Sequence, residues 1–159
     1  MGVEDFLNDL DEQSKRRKEA KQREEAAKGK LKEENEKYLS DFQEYYEIKV
    51  IPELIKIGDK LNSKFELTYE NEPNSAQGSY FYKTLLIPKF EHFIKKIDIQ
   101  IIAEGNRRLI TLSGTAYDSE NKTLNRDGLV RFQDVFEAFQ SIDLENEITA
   151  ILNRLFLKK

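Results

Sequence analysis

The chain has 159 residues, 38% of them hydrophobic, with ten Phe and seven Tyr, enough for one modest core carrying an appendage. Its charged fraction of 35% exceeds the ~25% of an ordinary globular domain, so the excess must be concentrated somewhere. A net charge of −4 argues against wholesale affinity for nucleic acid or membranes. The absence of cysteine excludes disulfides, thiolate metal sites and cysteine nucleophiles, and suits a reducing compartment.

No run of ~18 apolar residues predicts a membrane span. The opening Met1-Gly-Val-Glu-Asp-Phe6 is acidic, unlike a signal or transit peptide, and lacks the Ser or Thr of a myristoylation signal. The expected setting is cytoplasmic.

Residues 3–10 form an acidic-hydrophobic segment in which Phe6, Leu7 and Leu10 fall at i, i+1 and i+4, one side of a helical turn. It reads either as the frayed start of the following helix or as a helix-in-groove docking element anchored by those three side chains. Residues 11–37 carry one large apolar side chain, Leu31. Their charges are spaced for helix, with Glu19–Arg23, Glu24–Lys28 and Glu33–Lys37 at i,i+4, each pair worth ~0.2–0.5 kcal/mol. Such a segment is either a solvent-exposed single helix or disordered, and Gly29 is its weak point. The charges come in blocks: acidic from Glu4 to Glu12, basic from Lys15 to Lys32, then acidic from Glu33 to Glu47. Alternating blocks suit antiparallel or staggered self-pairing, or a partner of matching pattern.

From Tyr38 the periodicity becomes amphipathic, with Leu39, Phe42, Tyr45, Tyr46, Val50, Ile51, Leu54, Ile55, Ile57 and Leu61 at helical spacing. This predicts a helix over about 31–61 with a bend or restart at Pro52, whose ring removes a backbone donor. A heptad register catches Leu31, Tyr38 and Tyr45, too few for a sustained coiled coil. The predicted division is a charged arm over 1–37 and a compact domain over 38–159.

Lys64–Glu70 alternates, with Phe65, Leu67 and Tyr69 inward. Residues 71–79 read as loop, and Tyr80–Ile87 as a second strand stopped by Pro88. The stretch Ile97–Gly114 reads as a hairpin turning on Gly105-Asn106 in a two-residue type II′ turn. With Glu104 opposite Arg107, the pairs are Ile101–Ile110, Ile99–Leu112 and Ala103–Arg108 on one face, and Ile102–Leu109, Gln100–Thr111 and Asp98–Ser113 on the other. The second strand continues to Tyr117. A loop at 118–122 then returns the chain into Thr123–Arg126, and Asp127-Gly128 is a further turn before Leu129–Phe132. Val135, Phe136 and Phe139 predict a short helix. Asp143 is placed to cap a last helix striped by Leu144, Ile148, Ile151, Leu152 and Leu155, with Lys158 and Lys159 at its end. The predicted fold class is α+β: a long charged N-terminal helix, an antiparallel meander of four to five strands, and a C-terminal amphipathic helix.

No catalytic constellation stands out. The single histidine, His92, lies between Phe90 and Phe93 without a nucleophile motif and reads as a packing or surface residue. Asp118 and Glu120 sit on a turn, where solvation explains them better than acid–base work. No phosphate-binding glycine loop and no metal-ligand spacing occurs, so no cofactor, metal or small-molecule substrate is expected. The function expected is a non-enzymatic adaptor or assembly subunit. It would bind another protein, or a second copy of itself, through Phe6, Leu7, Leu10, Leu31, Tyr38 and Phe42. The alternative is a nucleic-acid-binding accessory protein using Arg16, Arg17, Lys18, Lys21 and Arg23 to neutralise phosphates, with Tyr80 and Tyr82 as stacking surfaces. A membrane-inserting helix is not expected, because residues 15–32 have no apolar face.

Overall fold

The computed structural model describes residues 2–125 and 128–157. The chain forms two compact units, Met1–Glu36 and Lys37–Lys159. The first is helical from Val3 onward, being the N-terminal part of helix α1 (Val3–Tyr45), and Gly29 does not interrupt it. The long charged N-terminal helix is as expected, and the helix predicted to begin near residue 31 is continuous with it.

The second unit holds the core. The end of α1 passes into one turn of π-helix, Tyr46–Val50, and then into α2 (Ile51–Leu61). Pro52 explains the irregularity. It occupies the first turn of α2, and the backbone N–H of Ile51 donates to the Tyr46 carbonyl five residues back. The wider turn keeps Leu39, Phe42, Tyr46, Val50, Leu54 and Ile57 on one buried face. Lys89 Nζ then caps the end of α2, donating to the Asn62 carbonyl at 2.7 Å.

Six antiparallel strands follow: β1 (Phe65–Tyr69), β2 (Asn74–Ala76), β3 (Ser79–Pro88), β4 (Lys96–Glu104), β5 (Leu109–Tyr117) and β6 (Leu129–Asp134). The sheet order is β1-β3-β4-β5-β6, with β2 also paired to β3. The meander is as predicted, with one strand more. That strand, β2, lies in the stretch read as loop. Gln77 and Gly78, at φ 51° and 75°, make the type I′ turn that returns it to β3.

The central hairpin has the predicted faces in a different register. Glu104 pairs with Leu109, Ala103 with Ile110, Ile101 with Leu112 and Ile99 with Gly114. The loop therefore has four residues, Gly105–Arg108. Its positive φ of 54° falls on Arg108, while Gly105 packs inward and donates its N–H to the Gly78 carbonyl at 3.0 Å. The register is offset by two from the predicted one, so every side chain keeps its side. Ile97, Ile99, Ile101 and Ala103 are buried, whereas Lys96, Asp98, Gln100, Ile102 and Glu104 are half-buried on the other face.

Beyond β5 the chain turns back as expected. Asp118 Oδ1 accepts the N–H groups of Glu120 and Lys122, both at 2.9 Å, and Tyr117 bridges Thr123. The returning stretch is a single bridge at Thr123 followed by bends at Leu124 and Asn125; Arg126 and Asp127 lie outside the described residues, as do Lys158 and Lys159. Helix α3 (Phe136–Phe139) and helix α4 (Leu144–Phe156) complete the layer over the sheet. Asp143 caps α4 as predicted, accepting the Asn146 N–H at 3.2 Å. The stripe Leu144, Ile148, Ile151 and Leu152 is buried against Tyr82, Leu86, Ile97, Ile99, Ile110 and Leu112 in one core. Each such aliphatic side chain contributes roughly 1.5–3 kcal/mol by leaving water.

Candidate functional site

Helix α1 gives the N-terminal segment a definite surface. Phe6, Leu7 and Leu10 are 58%, 51% and 44% exposed, Val3 lies beside them, and Glu4, Asp5, Asp9, Asp11 and Glu12 surround them. Large apolar side chains in this state lose nothing on leaving water and gain area against any apolar groove. Leu31 is likewise 56% exposed.

The basic residues Arg16, Arg17, Lys18, Lys21 and Arg23 are all exposed on α1. At about 100° per residue, Arg16, Arg17 and Lys18 alone span some 200° of the helix circumference, so the five do not form a single stripe. Carboxylates are interleaved with the basic blocks: Arg16 lies 4.0 Å from Glu12 and Lys28 lies 3.8 Å from Glu24. Such exposed pairs contribute little stability, but they dilute the positive field.

Tyr38 and Phe42, grouped with the anchors on sequence, belong to the core of the second unit. Phe42 is fully buried among Tyr82, Phe136 and Phe139, with ring centroids 5.3–5.7 Å away. Tyr38 is half-buried with its ring edge-on to Phe136, and burial raises its pKa. Neither offers a free docking surface, because the amphipathic stripe that marks a partner-binding face also marks a core-facing one. The proposed stacking platform is likewise absent: Tyr82 is fully buried against Tyr46, leaving only Tyr80 half-exposed.

One surface escaped the sequence reading. An apolar cleft of about 500 Å³ opens between Leu61, Phe65, Phe90, Leu152, Phe156 and Leu157, with Lys64 and Asn153 on its rim. Phe65 meets Phe90 and Phe156 edge-on at 5.6 and 5.5 Å. His92 packs beside it, its ring stacked on Phe93 at 4.4 Å and 4.8 Å from Phe156. The His92 Nδ1 accepts the Ile94 N–H at 3.0 Å, so this histidine holds the 89–95 connection in shape. The signal available in the sequence was the density of Phe90 and Phe93 around His92. Its partners Phe65 and Phe156 come from distant segments, which no local pattern reveals.

Asp118 spends its carboxylate on the loop that it closes, with Glu120 paired to Lys122 at 3.1 Å. Among the described residues no three His, Asp or Glu side chains converge as a metal site, and no helix is long and apolar enough to cross a membrane. No protein-family model, curated protein or solved structure matches the chain, so the functional reading rests on these surfaces alone.

Proposed function

We propose that this protein is a non-enzymatic adaptor or assembly subunit that docks on another protein chain through its charged helical arm. The observation that carries this reading is the exposed trio Phe6, Leu7 and Leu10 on one side of a helix rimmed by carboxylates. Such a face matches the helix-in-groove mode, in which anchors at i, i+1 and i+4 fill an apolar groove and charges set orientation. A cysteine-free chain of this kind suits a cytoplasmic setting.

The test compares wild-type protein with the double variant Phe6→Ala and Leu10→Ala in capture of partners from native lysate, with and without nuclease. The variant is expected to lose the partner while its melting temperature stays unchanged. Retained capture by the variant would refute docking through these anchors. The alternative, a nucleic-acid accessory role, draws on the exposure of Arg16, Arg17, Lys18, Lys21 and Arg23. It expects nuclease-sensitive capture and a salt slope that flattens when these residues are neutralised. An absence of nucleic-acid binding at low salt would end it.

A further inference from the structure

We infer that the partner of the arm is a second copy of the arm, paired antiparallel about a two-fold axis near Ala20 and Lys21. This rests on the reading of α1 as the docking element and names what it docks on.

On a helix of 3.6 residues per turn, Val3, Phe6, Leu10, Arg17, Glu24 and Leu31 fall along one stripe of α1, and every one of them is exposed. A parallel pairing of two such stripes would set the acidic block from Glu4 to Glu12 against itself and the basic block from Lys15 to Lys18 against itself. Like charges in register repel along both blocks. Reversing one helix removes this conflict.

With Leu10 opposite Leu31 of the second copy, Arg17 falls opposite Glu24 in the same seam. On one flank Asp9 comes beside Lys30; on the other, farther from the seam, Asp11 faces Lys32 and Lys18 faces Glu25. Each contact occurs twice by symmetry, as an isologous interface requires. At the axis Ala20 meets its own copy, and a small residue there lets the backbones approach closely. The pairing also covers Leu10 and Leu31 at both ends of the seam, where the isolated arm leaves them in water. Two like-signed contacts remain, Arg16 beside Arg23 and, at the axis, Lys21 beside its own copy.

The absence of cysteine makes the orientation directly testable in the full chain. Sedimentation equilibrium is expected to show a dimer that weakens about tenfold from low to high salt, because the flanking pairs are exposed and screened. The variant Asp9→Lys with Asp11→Lys is expected to be monomeric, as is Lys30→Glu with Lys32→Glu, and an equimolar mixture of the two to dimerise again. Arg23→Glu is expected to tighten the dimer. Under mild oxidation, Leu10→Cys chains mixed with Leu31→Cys chains are expected to form a mixed disulfide. Leu10→Cys chains alone are not, since their thiols would lie about 30 Å apart. A Leu10→Cys homodimer would overturn the antiparallel arrangement. A dimer indifferent to the charge reversals would overturn pairing by the arm. A wild-type monomer that still captures another protein through Phe6 and Leu10 would overturn self-pairing and leave the docking function standing. A monomer that captures nothing would overturn both.

Discussion

Tyr46 and Tyr82 lie face to face in the core of the second unit, their ring centroids 3.9 Å apart and their planes inclined by 27°. The π-helical turn brings Tyr46 to the sheet, and the inward phase of β3 brings Tyr82 to meet it. The two hydroxyls fare differently. Tyr46 donates to the Glu70 carbonyl at 2.9 Å, whereas the Tyr82 hydroxyl is buried with no hydrogen-bond partner among the described residues. Burial raises both phenol pKa values, helped by the charge of Glu70 for Tyr46 and by Tyr46 itself for Tyr82.

The first prediction follows from that asymmetry. Tyr82→Phe is expected to leave stability at neutral pH unchanged or raised by up to about 1 kcal/mol, because it removes an unsatisfied buried hydroxyl. Tyr46→Phe is expected to cost about 1 kcal/mol through its lost hydrogen bond. Above the ordinary tyrosine value of about 10 the unfolded chain ionises while the folded core resists, so stability falls as pH rises beyond that point. Each Phe variant should make this alkaline fall shallower. Urea unfolding at neutral pH and above pH ~10 measures both effects.

The close approach of α4 to the sheet depends on Gly114. A Cβ there would lie 2.6 Å from Ile151 Cγ2 and 3.5 Å from Ile99 Cδ1. The Ile151 methyl sits on a branched carbon and cannot swing away freely. Gly114→Ala is therefore expected to destabilise by about 1–3 kcal/mol, and the double variant with Ile151→Ala to lose less than the sum of the two single losses. Thermal unfolding of the single and double variants tests it; additive costs would show that the two sites do not touch.

Asn125 takes the place of a neighbouring strand beside the end of β5. Its Oδ1 accepts the Ala116 N–H at 2.7 Å and its Nδ2 donates to the Gly114 carbonyl at 2.8 Å, two contacts that a backbone would otherwise supply. Asn125→Asp keeps the acceptor and sets a carboxylate oxygen against the carbonyl. A loss of about 1–3 kcal/mol is expected for Asp, at least equal to that for Ala. Chemical denaturation ranks the variants, and Asp more stable than Ala would contradict the assignment.

Ile101 is 1% exposed and pairs with Leu112 at the middle of the sheet. Ile101→Asp buries a carboxylate without a partner and is expected to unfold the second unit. Loss of near-ultraviolet circular dichroism is the readout. Ile102→Asp, one residue on and on the half-buried face, is expected to stay folded.

The faces of the strands and the amphipathic helices were legible in the residues alone, because burial imposes a period of two on a strand and 3.6 on a helix. Phe65, Leu67 and Tyr69 face inward as read, and Asp143 caps α4 because a carboxylate ahead of an apolar stripe satisfies the first free N–H groups. The exposure of Phe6, Leu7 and Leu10 was legible for the same reason: no large apolar side chain within residues 11–30 continues their stripe.

What the pattern could not decide is which partner each side chain meets. A hairpin slipped by two residues keeps every side chain on its own face, so alternation was blind to the choice between Glu104 facing Arg107 and Glu104 facing Leu109. A four-residue loop that tucks Gly105 against Gly78 settled it. Phe42 and Leu10 likewise share a helical stripe, yet one is sealed beneath Phe136 and the other stands in water. The aromatic cleft joins Phe65, Phe90 and Phe156 from three separate segments. Local periodicity determined the direction in which each side chain points, because that depends only on backbone geometry. Tertiary packing decided what lies opposite, because that depends on the closure of loops between residues far apart in the chain.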